Sequence, residues 1–288
     1  SEDPIIDYGD APNSYGTSLG DNGARHRVGS LYFGAGVSAE HVPKATDDDD
    51  GVSFVTGFEV GLDNLTSLTL SNSGYINAWA DWNQNGVFDD DEQVITALLG
   101  TAGINKYVIS VPFTAQVGQT WMRFRVSNTE SLGASGGVDS GEVEDYQIVI
   151  TDPGATEVNT TMVTVAFEDL WPAQGDYDFN DVVVSYSVTQ TVIANQIVNY
   201  RITGHLLAVG ASYHNGFAFR FKDIASSDVN EALIRLDIDN QRQTRAPLEA
   251  GQSDAVLIVF PDTRTATTIE SGCTYFRTEA GCLNQQKI

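Results

Sequence analysis

Apolar and polar residues alternate with a period of two along most of this chain, the spacing that gives an extended strand one core face and one solvent face. In Trp121–Val126, Met122, Phe124 and Val126 share one face, and Arg123 and Arg125 share the other. Tyr146, Ile148 and Ile150 repeat the pattern. Further strands are predicted over Val163–Phe167, Val182–Val188, Gln196–Thr203, Phe217–Phe221 and Ala255–Phe260. The best helical candidates are Gln93–Leu99, which is short, and Asp228–Leu236, which is ambiguous. Thr151-Asp-Pro-Gly154 reads as a turn or linker. The pattern therefore predicts an all-β chain of two antiparallel β-sandwich domains, jelly-roll-like, over residues 1–152 and 153–288. Asp3–Asp50 is long and irregular, unusual in a compact domain unless something fixes it; bound calcium is the expected fixture.

The densest chemistry lies in Asp81-Trp-Asn-Gln-Asn-Gly-Val-Phe-Asp-Asp-Asp-Glu92. Asp81, Asn83 and Asn85 place oxygens at alternate positions, and Gly86 permits a sharp turn. Val87 offers a carbonyl, Asp89 acts directly or through water, and Glu92 closes the shell with two oxygens. That is the spacing of a twelve-residue calcium loop, in which a hard cation collects six to eight oxygens. The preceding Tyr75–Ala80 alternates, so this loop leaves a strand rather than a helix. A metal-free acidic turn is the bland alternative.

Charge sharpens the picture. The chain of 288 residues has 15 basic and 39 acidic side chains, a formal net charge of −24. So negative a surface repels nucleic acid and anionic lipid. No apolar stretch is long enough to span a bilayer as a helix, and no signal peptide is present, so Ser1 reads as a mature or trimmed end. The two cysteines, Cys273 and Cys282, stand close together. They read as a small disulfide-closed loop rather than free thiols or a zinc pair. Calcium loops with a disulfide point outside the cytoplasm.

The residues also resemble known families. Asp7–Tyr15, Ala24-Arg-His26, Asp47-Asp-Asp-Asp-Gly-Val52, Ala80–Asp89 and Gly141-Glu-Val-Glu-Asp-Tyr146 occur in the order of the GEVED domain of secreted bacterial proteins, covering residues 7–150. Phe167-Glu-Asp-Leu-Trp-Pro172, Gly175–Val182, Asn215-Gly-Phe217 and Cys273–Cys282 resemble the start of an LruC-type domain. That domain normally continues past a point like Ile288, so the chain reads as truncated or processed. The resemblance implies an exported, surface or matrix protein and no reaction.

Other acids join the candidate metal ligands. Glu142 and Glu144 project to one face of a strand and Asp145 to the other; a cation between the two glutamates is weighed against a solvated strand edge. Asp7 and Asp10, with Asp47 and Asp49 from the Asp47–Asp50 run, are completing ligands. In the second half, Asp176, Asp178 and Asn180 alternate, Asp181 precedes a strand and Glu168 with Asp169 ends another; calcium is weighed there against a strand cap. The four histidines, His26, His41, His205 and His214, fall in no metalloprotease, nucleophile-elbow or phosphate-loop motif. His214-Asn-Gly216 reads as a hairpin turn. Trp79, Trp82, Trp121 and Trp171 are candidate sugar platforms, with ordinary packing the favoured fate of each. The sequons at Asn64 and Asn159 read as accidental.

The sequence thus predicts a secreted calcium-binding structural or adhesion protein of the bacterial surface or extracellular matrix, a filament subunit being one form of that role, and no enzyme. The alternatives are a calcium-dependent carbohydrate-binding module and, more weakly, a secreted hydrolase using a carboxylate pair. Expected partners are surface or matrix proteins, the chain itself in a homopolymer, or glycans. Nucleic acid and membrane insertion are excluded. Two readings of the open sheet edge beside Val182–Val188 or Ala255–Phe260 stand side by side: further chain completes it, or a free Ser1–Tyr8 of another copy does.

Overall fold

The computed structural model describes residues 5–37, 49–168, 170, 172–173, 175–239, 241–286 and 288. Strand accounts for 46 % of the chain and helix for 6 %, the helix being three-residue 3-10 turns, so the fold is all-β. Two compact units divide at Ala155 and Thr156.

In the first unit the strands are β1 (Ile6–Tyr8), β2 (Arg25–Arg27), β3 (Val52–Phe54), β4 (Phe58–Glu59), β5 (Asp63–Leu70) and β6 (Gly74–Ala80). β7 (Gln93–Gly100), β8 (Gly103–Ser110), β9 (Gly118–Ser127), β10 (Gly137–Val138) and β11 (Glu142–Thr151) follow. They form a five-stranded sheet in the order β4-β11-β9-β6-β7 and two three-stranded sheets, β3-β5-β8 and β1-β2-β10. Pairing is antiparallel except for β2 with β10 and β4 with β11, which are parallel. That corrects the purely antiparallel expectation. The main core draws Leu68 from β5, Ile109 from β8, Ile76 from β6, Met122, Phe124 and Val126 from β9, and Ile148 and Ile150 from β11. The period-two faces meet here, as the alternation requires.

In the second unit the strands are β12 (Thr156–Asn159), β13 (Val163–Phe167), β14 (Val182–Ile193), β15 (Gln196–Ala208), β16 (Phe217–Ala225), β17 (Asp237–Ile238), β18 (Gln241–Arg242) and β19 (Asp254–Phe260). β14 pairs with β12 and β13 on one side and β15 on the other. Ala194 and Asn195 turn the β14–β15 hairpin in left-handed backbone, φ 49° and 63°, as a tight two-residue hairpin loop requires. The core is smaller, with Val182, Val184, Leu206, Val209, Phe260 and Phe276 buried. Aromatic pairs extend it: Tyr186 on Phe219 at 4.9 Å between ring centroids, and Tyr200 on Phe221 at 5.1 Å. Cys273 and Cys282 are disulfide-bonded.

Four expectations are corrected. Gln93–Leu99 lies within strand β7, because pairing with β6 and burial of Ile95 override its weak helical spacing. Asp228–Leu236 holds only the 3-10 turns Ser226–Asp228 and Glu231–Leu233. His214-Asn-Gly216 joins strands of different sheets and is not a hairpin turn. Ile6–Tyr8 is not a free end but pairs with β2, and Val182–Val188 lies in β14, which has neighbours on both sides.

Closing a ring of this size by disulfide removes roughly 2–3 kcal/mol of unfolded-state freedom. Replacing both Cys273 and Cys282 by serine is expected to lower stability by about that amount. Urea denaturation with and without a reductant checks this: the reductant should destabilise the parent chain and leave the double variant unchanged.

Candidate functional site

The Asp81–Glu92 loop begins where β6 runs out at a bulged strand end. Asp81 is fully buried and Glu92 nearly so. Asp81 Oδ1 accepts the Asn85 N–H at 3.1 Å, and Oδ2 accepts the Gly86 N–H at 3.0 Å and the Tyr15 hydroxyl at 2.7 Å. Gly86 turns at φ 83°, in the left-handed region that glycine enters without a Cβ clash. Asn83 Oδ1 accepts from Asn85 N and Asn85 Oδ1 from Val87 N, both at 2.9 Å. These small side-chain turns curl the loop back on itself. The far end closes through Glu92, whose two carboxylate oxygens accept from Asn83 N at 3.1 Å and Asp89 N at 3.2 Å. Asp89 Oδ2 accepts from both asparagine amides, at 3.1 and 2.8 Å. Burial, then the charge of Asp81, raises the pKa of Glu92 and favours its neutral form. Val87 itself is exposed.

The Glu142–Asp145 strand is not a solvated edge: it pairs with β9, Glu142, Glu144 and Asp145 are all buried, and segments around Asp7, Phe33 and Gly51 bond to it. Gly141 allows the chain to enter: at φ 98°, a Cβ there would meet Val126 O at 1.7 Å. Glu142 Oε2 accepts the Phe33 N–H, and Glu144 Oε1 accepts those of Asp50 and Gly51 at 3.1 and 3.0 Å. Glu144 Oε2 accepts the Tyr146 hydroxyl at 3.0 Å. Burial pushes the Glu142 carboxyl up to about 10, helped by the charges of Glu144, Asp7 and Asp49. Burial also pushes Glu144 up to about 7 against its hydrogen bonds. Asp7, buried, accepts from Val143 N at 2.7 Å, and Asp49 Oδ2 accepts from Asp145 N at 3.3 Å. The structure thus brings Asp7 and Asp49 to Glu142 and Glu144. Asp10 is half-buried two residues past β1; Asp47 and Asp169 lie outside the described residues.

On the opposite face, Asp145 takes both oxygens to Arg123, Nε and Nη2 each at 2.7 Å. Arg123 Nη1 also donates to the carbonyls of Tyr15 and Ala134, both at 2.9 Å. Arg125 donates from Nε to His26 Nε2 at 2.9 Å and from its terminal nitrogens to the carbonyls of Gly133, Ser135 and Gly136 at 2.6–2.8 Å. Both arginines are fully buried. Burial, then Arg123, pushes Arg125 down to about 9. Because His26 Nε2 accepts from Arg125, Nδ1 carries the proton and donates to Ser140 O at 2.7 Å. Burial and Arg125 hold this imidazole neutral, its pKa well below the usual value. The sequence reading missed Arg123, Arg125, Tyr15 and His26; the available signal was two arginines at alternate positions inside an otherwise apolar strand.

In the second unit, Glu168, Asp176 and Asp178 place carboxylate oxygens within 4.8 Å of one another. Asn180 N donates to Asp178 Oδ1 at 3.2 Å, and Asp181 is buried at the head of β14. Tyr177 and Phe179 take left-handed backbone, φ 58° and 52°, which turns 176, 178 and 180 apart from the exposed rings. Desolvation, then Asp181, Asp176 and Asp178, raises the Glu168 carboxyl. Trp79 and Trp82 are buried, Trp121 packs on Ala11, Tyr15 and their neighbours, and Trp171 and His41 lie outside the described residues. The platform role is thereby closed to Trp79 and Trp82.

Residues 75–149 match the GEVED domain family, and residues 195–288 match a domain of unknown function, DUF4842. No curated protein and no solved structure matches the chain. The first match runs from β6 into β11 and so contains both the Asp81 loop and the Glu142–Asp145 strand. No helix among the described residues is long and apolar enough to cross a membrane.

Two tests follow the charges. Truncating Asp145 to alanine leaves Arg123 buried and unpaired, a loss of about 3–5 kcal/mol, read by urea denaturation. For pH, Glu142 and His26 act oppositely. Glu142 has a folded pKa above its unfolded value, so its contribution is complete below pH 4.5 and is lost as pH rises toward about 10. By pH 7 the loss is on the order of 3 kcal/mol. His26 has a folded pKa below 6.5, so its contribution is complete above that value and is lost as pH falls. Without divalent cations, Glu142→Gln should therefore flatten the alkaline decline in denaturation midpoint and leave the acid limb intact. An unchanged alkaline slope would refute the assignment.

Proposed function

We propose that this chain is a calcium-stabilised structural or adhesion module of an exported bacterial surface or matrix protein. The observation that carries this reading is the Asp81–Glu92 loop, where two buried carboxylates and two asparagine side chains converge around a glycine turn. All of its side-chain donors are oxygens or amides, a set suited to a hard cation and unsuited to a soft one. Asp81, Asn83, Asn85, Asp89, Glu92 and the Val87 carbonyl would hold calcium there.

Support comes also from Glu142, Glu144, Asp7 and Asp49, whose mutual repulsion a divalent cation would relieve, and from the Glu168, Asp176 and Asp178 triplet. We read the two larger sheets of the first unit as sandwich layers, since one core draws on both. We read the second unit as LruC-type from Phe167–Pro172 and Gly175–Val182. Secretion and adhesion rest on the GEVED match, the disulfide and the charge of −24.

Calcium at a hundredfold excess over its dissociation constant should stabilise the chain by about 2.7 kcal/mol per site. Isothermal titration and thermal melts read this directly. Asp89→Ala and Glu92→Gln, which spare the Asp81 anchor, should each weaken the loop site tenfold or more. A chain that neither takes up calcium nor gains stability in it would overturn the proposal.

A further inference from the structure

Not one of the chain's 39 acidic residues falls between Val182 and Lys222. This stretch contains the β14–β15 hairpin and most of β16. In a chain of net charge −24, a second copy meets little repulsion along this stretch.

β15 has a long outer edge. Among the described residues it pairs with β14 alone, and the contacts on its other side lie near its end: Leu206 N donates to Ile288 O at 2.7 Å, Arg277 Nε donates to Leu207 O at 3.0 Å, and Val209 bridges to Phe276. Proteins blunt such edges by shortness, bulges, lysine or proline. The other edges use those devices. β1, β3, β4 and β10 have two or three residues, β7 bends at left-handed Ala97, and β8 carries Lys106. β12 and β13 form a broken edge, β16 carries Arg220, Lys222 and a left-handed Asp223, and Leu248 bridges to β19. β15 has neither lysine nor proline, Arg201 is its one charged residue, and the register shifts of its pairing with β14 fall at the two ends, leaving the run from Asn199 to Leu206 continuous. Arg201, Thr203, Gly204 and His205 are exposed along that run.

We infer that β15 is a self-association edge, pairing antiparallel with β15 of a second copy about a two-fold axis at Ile202. Isologous pairing opposes residues symmetrically, so the charges choose the register. An axis at Arg201 would face two arginines, and one at Thr203 would face Arg201 with His205. The axis at Ile202 faces Arg201 with Thr203 and Tyr200 with Gly204, and an aromatic ring across from a strand glycine covers its bare backbone.

This pairing takes its purpose from the structural-subunit reading, and a calcium titration on the same samples tests that reading separately. Sedimentation of the full chain over a concentration series should show a dimer. Thr203→Lys places lysine opposite Arg201 twice and should weaken the dimer about tenfold. Thr203→Glu places a carboxylate there and should strengthen it, an opposite sign that a folding defect would not produce. Single-chain mass at every concentration overturns the edge, as do two variants shifting in the same direction. Hydrogen exchange gives an independent reading. The amides of Tyr200, Ile202 and Gly204 point away from β14, as that of Leu206 does; their gaining protection only in the dimer supports the pairing, and their protection already in the monomer overturns it by showing the chain covers its own edge.

Discussion

The first unit depends on two buried guanidinium groups. Arg123 and Arg125 leave one face of β9, the face turned from the main core, and are fully buried there. A buried cation is tolerated only when every donor is matched. The chain meets that demand with the Asp145 carboxylate, the His26 ring and a set of backbone carbonyls drawn from Tyr15, Gly133, Ala134, Ser135 and Gly136. Segments more than a hundred residues apart in sequence are therefore tied to one strand. The irregular N-terminal stretch is fixed by this polar layer, with Tyr15 and Phe88 stacked beside it at 4.8 Å between centroids.

The two faces of the five-stranded sheet thus perform different tasks. One is apolar and supplies the core shared with β3, β5 and β8. The other gathers loops, and both acidic constellations of the unit begin at strand ends of this sheet: Asp81 follows β6 and Glu142 opens β11. Tyr15 joins the two systems, its carbonyl held by Arg123 and its hydroxyl by Asp81. The second unit has no comparable layer among the described residues. It relies on aromatic pairs between β14, β15 and β16 and on the disulfide.

Local patterns were legible in the sequence because local physics sets them. The alternation of Met122, Phe124 and Val126 gives β9, the Asp81–Glu92 spacing gives a loop that curls on its own side chains, and Cys273 with Cys282 gives the bridge. What escaped was long-range. Nothing near Gln93–Leu99 announces that β6 will claim it, and nothing near Ile6–Tyr8 announces β2. The arginines read as a solvent face because charge normally seeks water; only the carbonyls of distant loops make burial tolerable, and a carbonyl has no letter in the sequence. For the same reason a solvated edge stands in the sequence as the alternative to a cation at Glu142 and Glu144, whereas β9 and the Phe33 and Gly51 segments enclose them.

The carbonyl anchors on Arg123 and Arg125 carry an evolutionary consequence. Every amino acid presents the same main-chain oxygen, so Ala134 and Ser135 hold the arginines by position and not by identity. Loops anchored this way can exchange side chains freely while conserving their path, whereas a single inserted or deleted residue shifts every oxygen out of reach. The unit is thereby a frame with fixed loop geometry and replaceable loop chemistry.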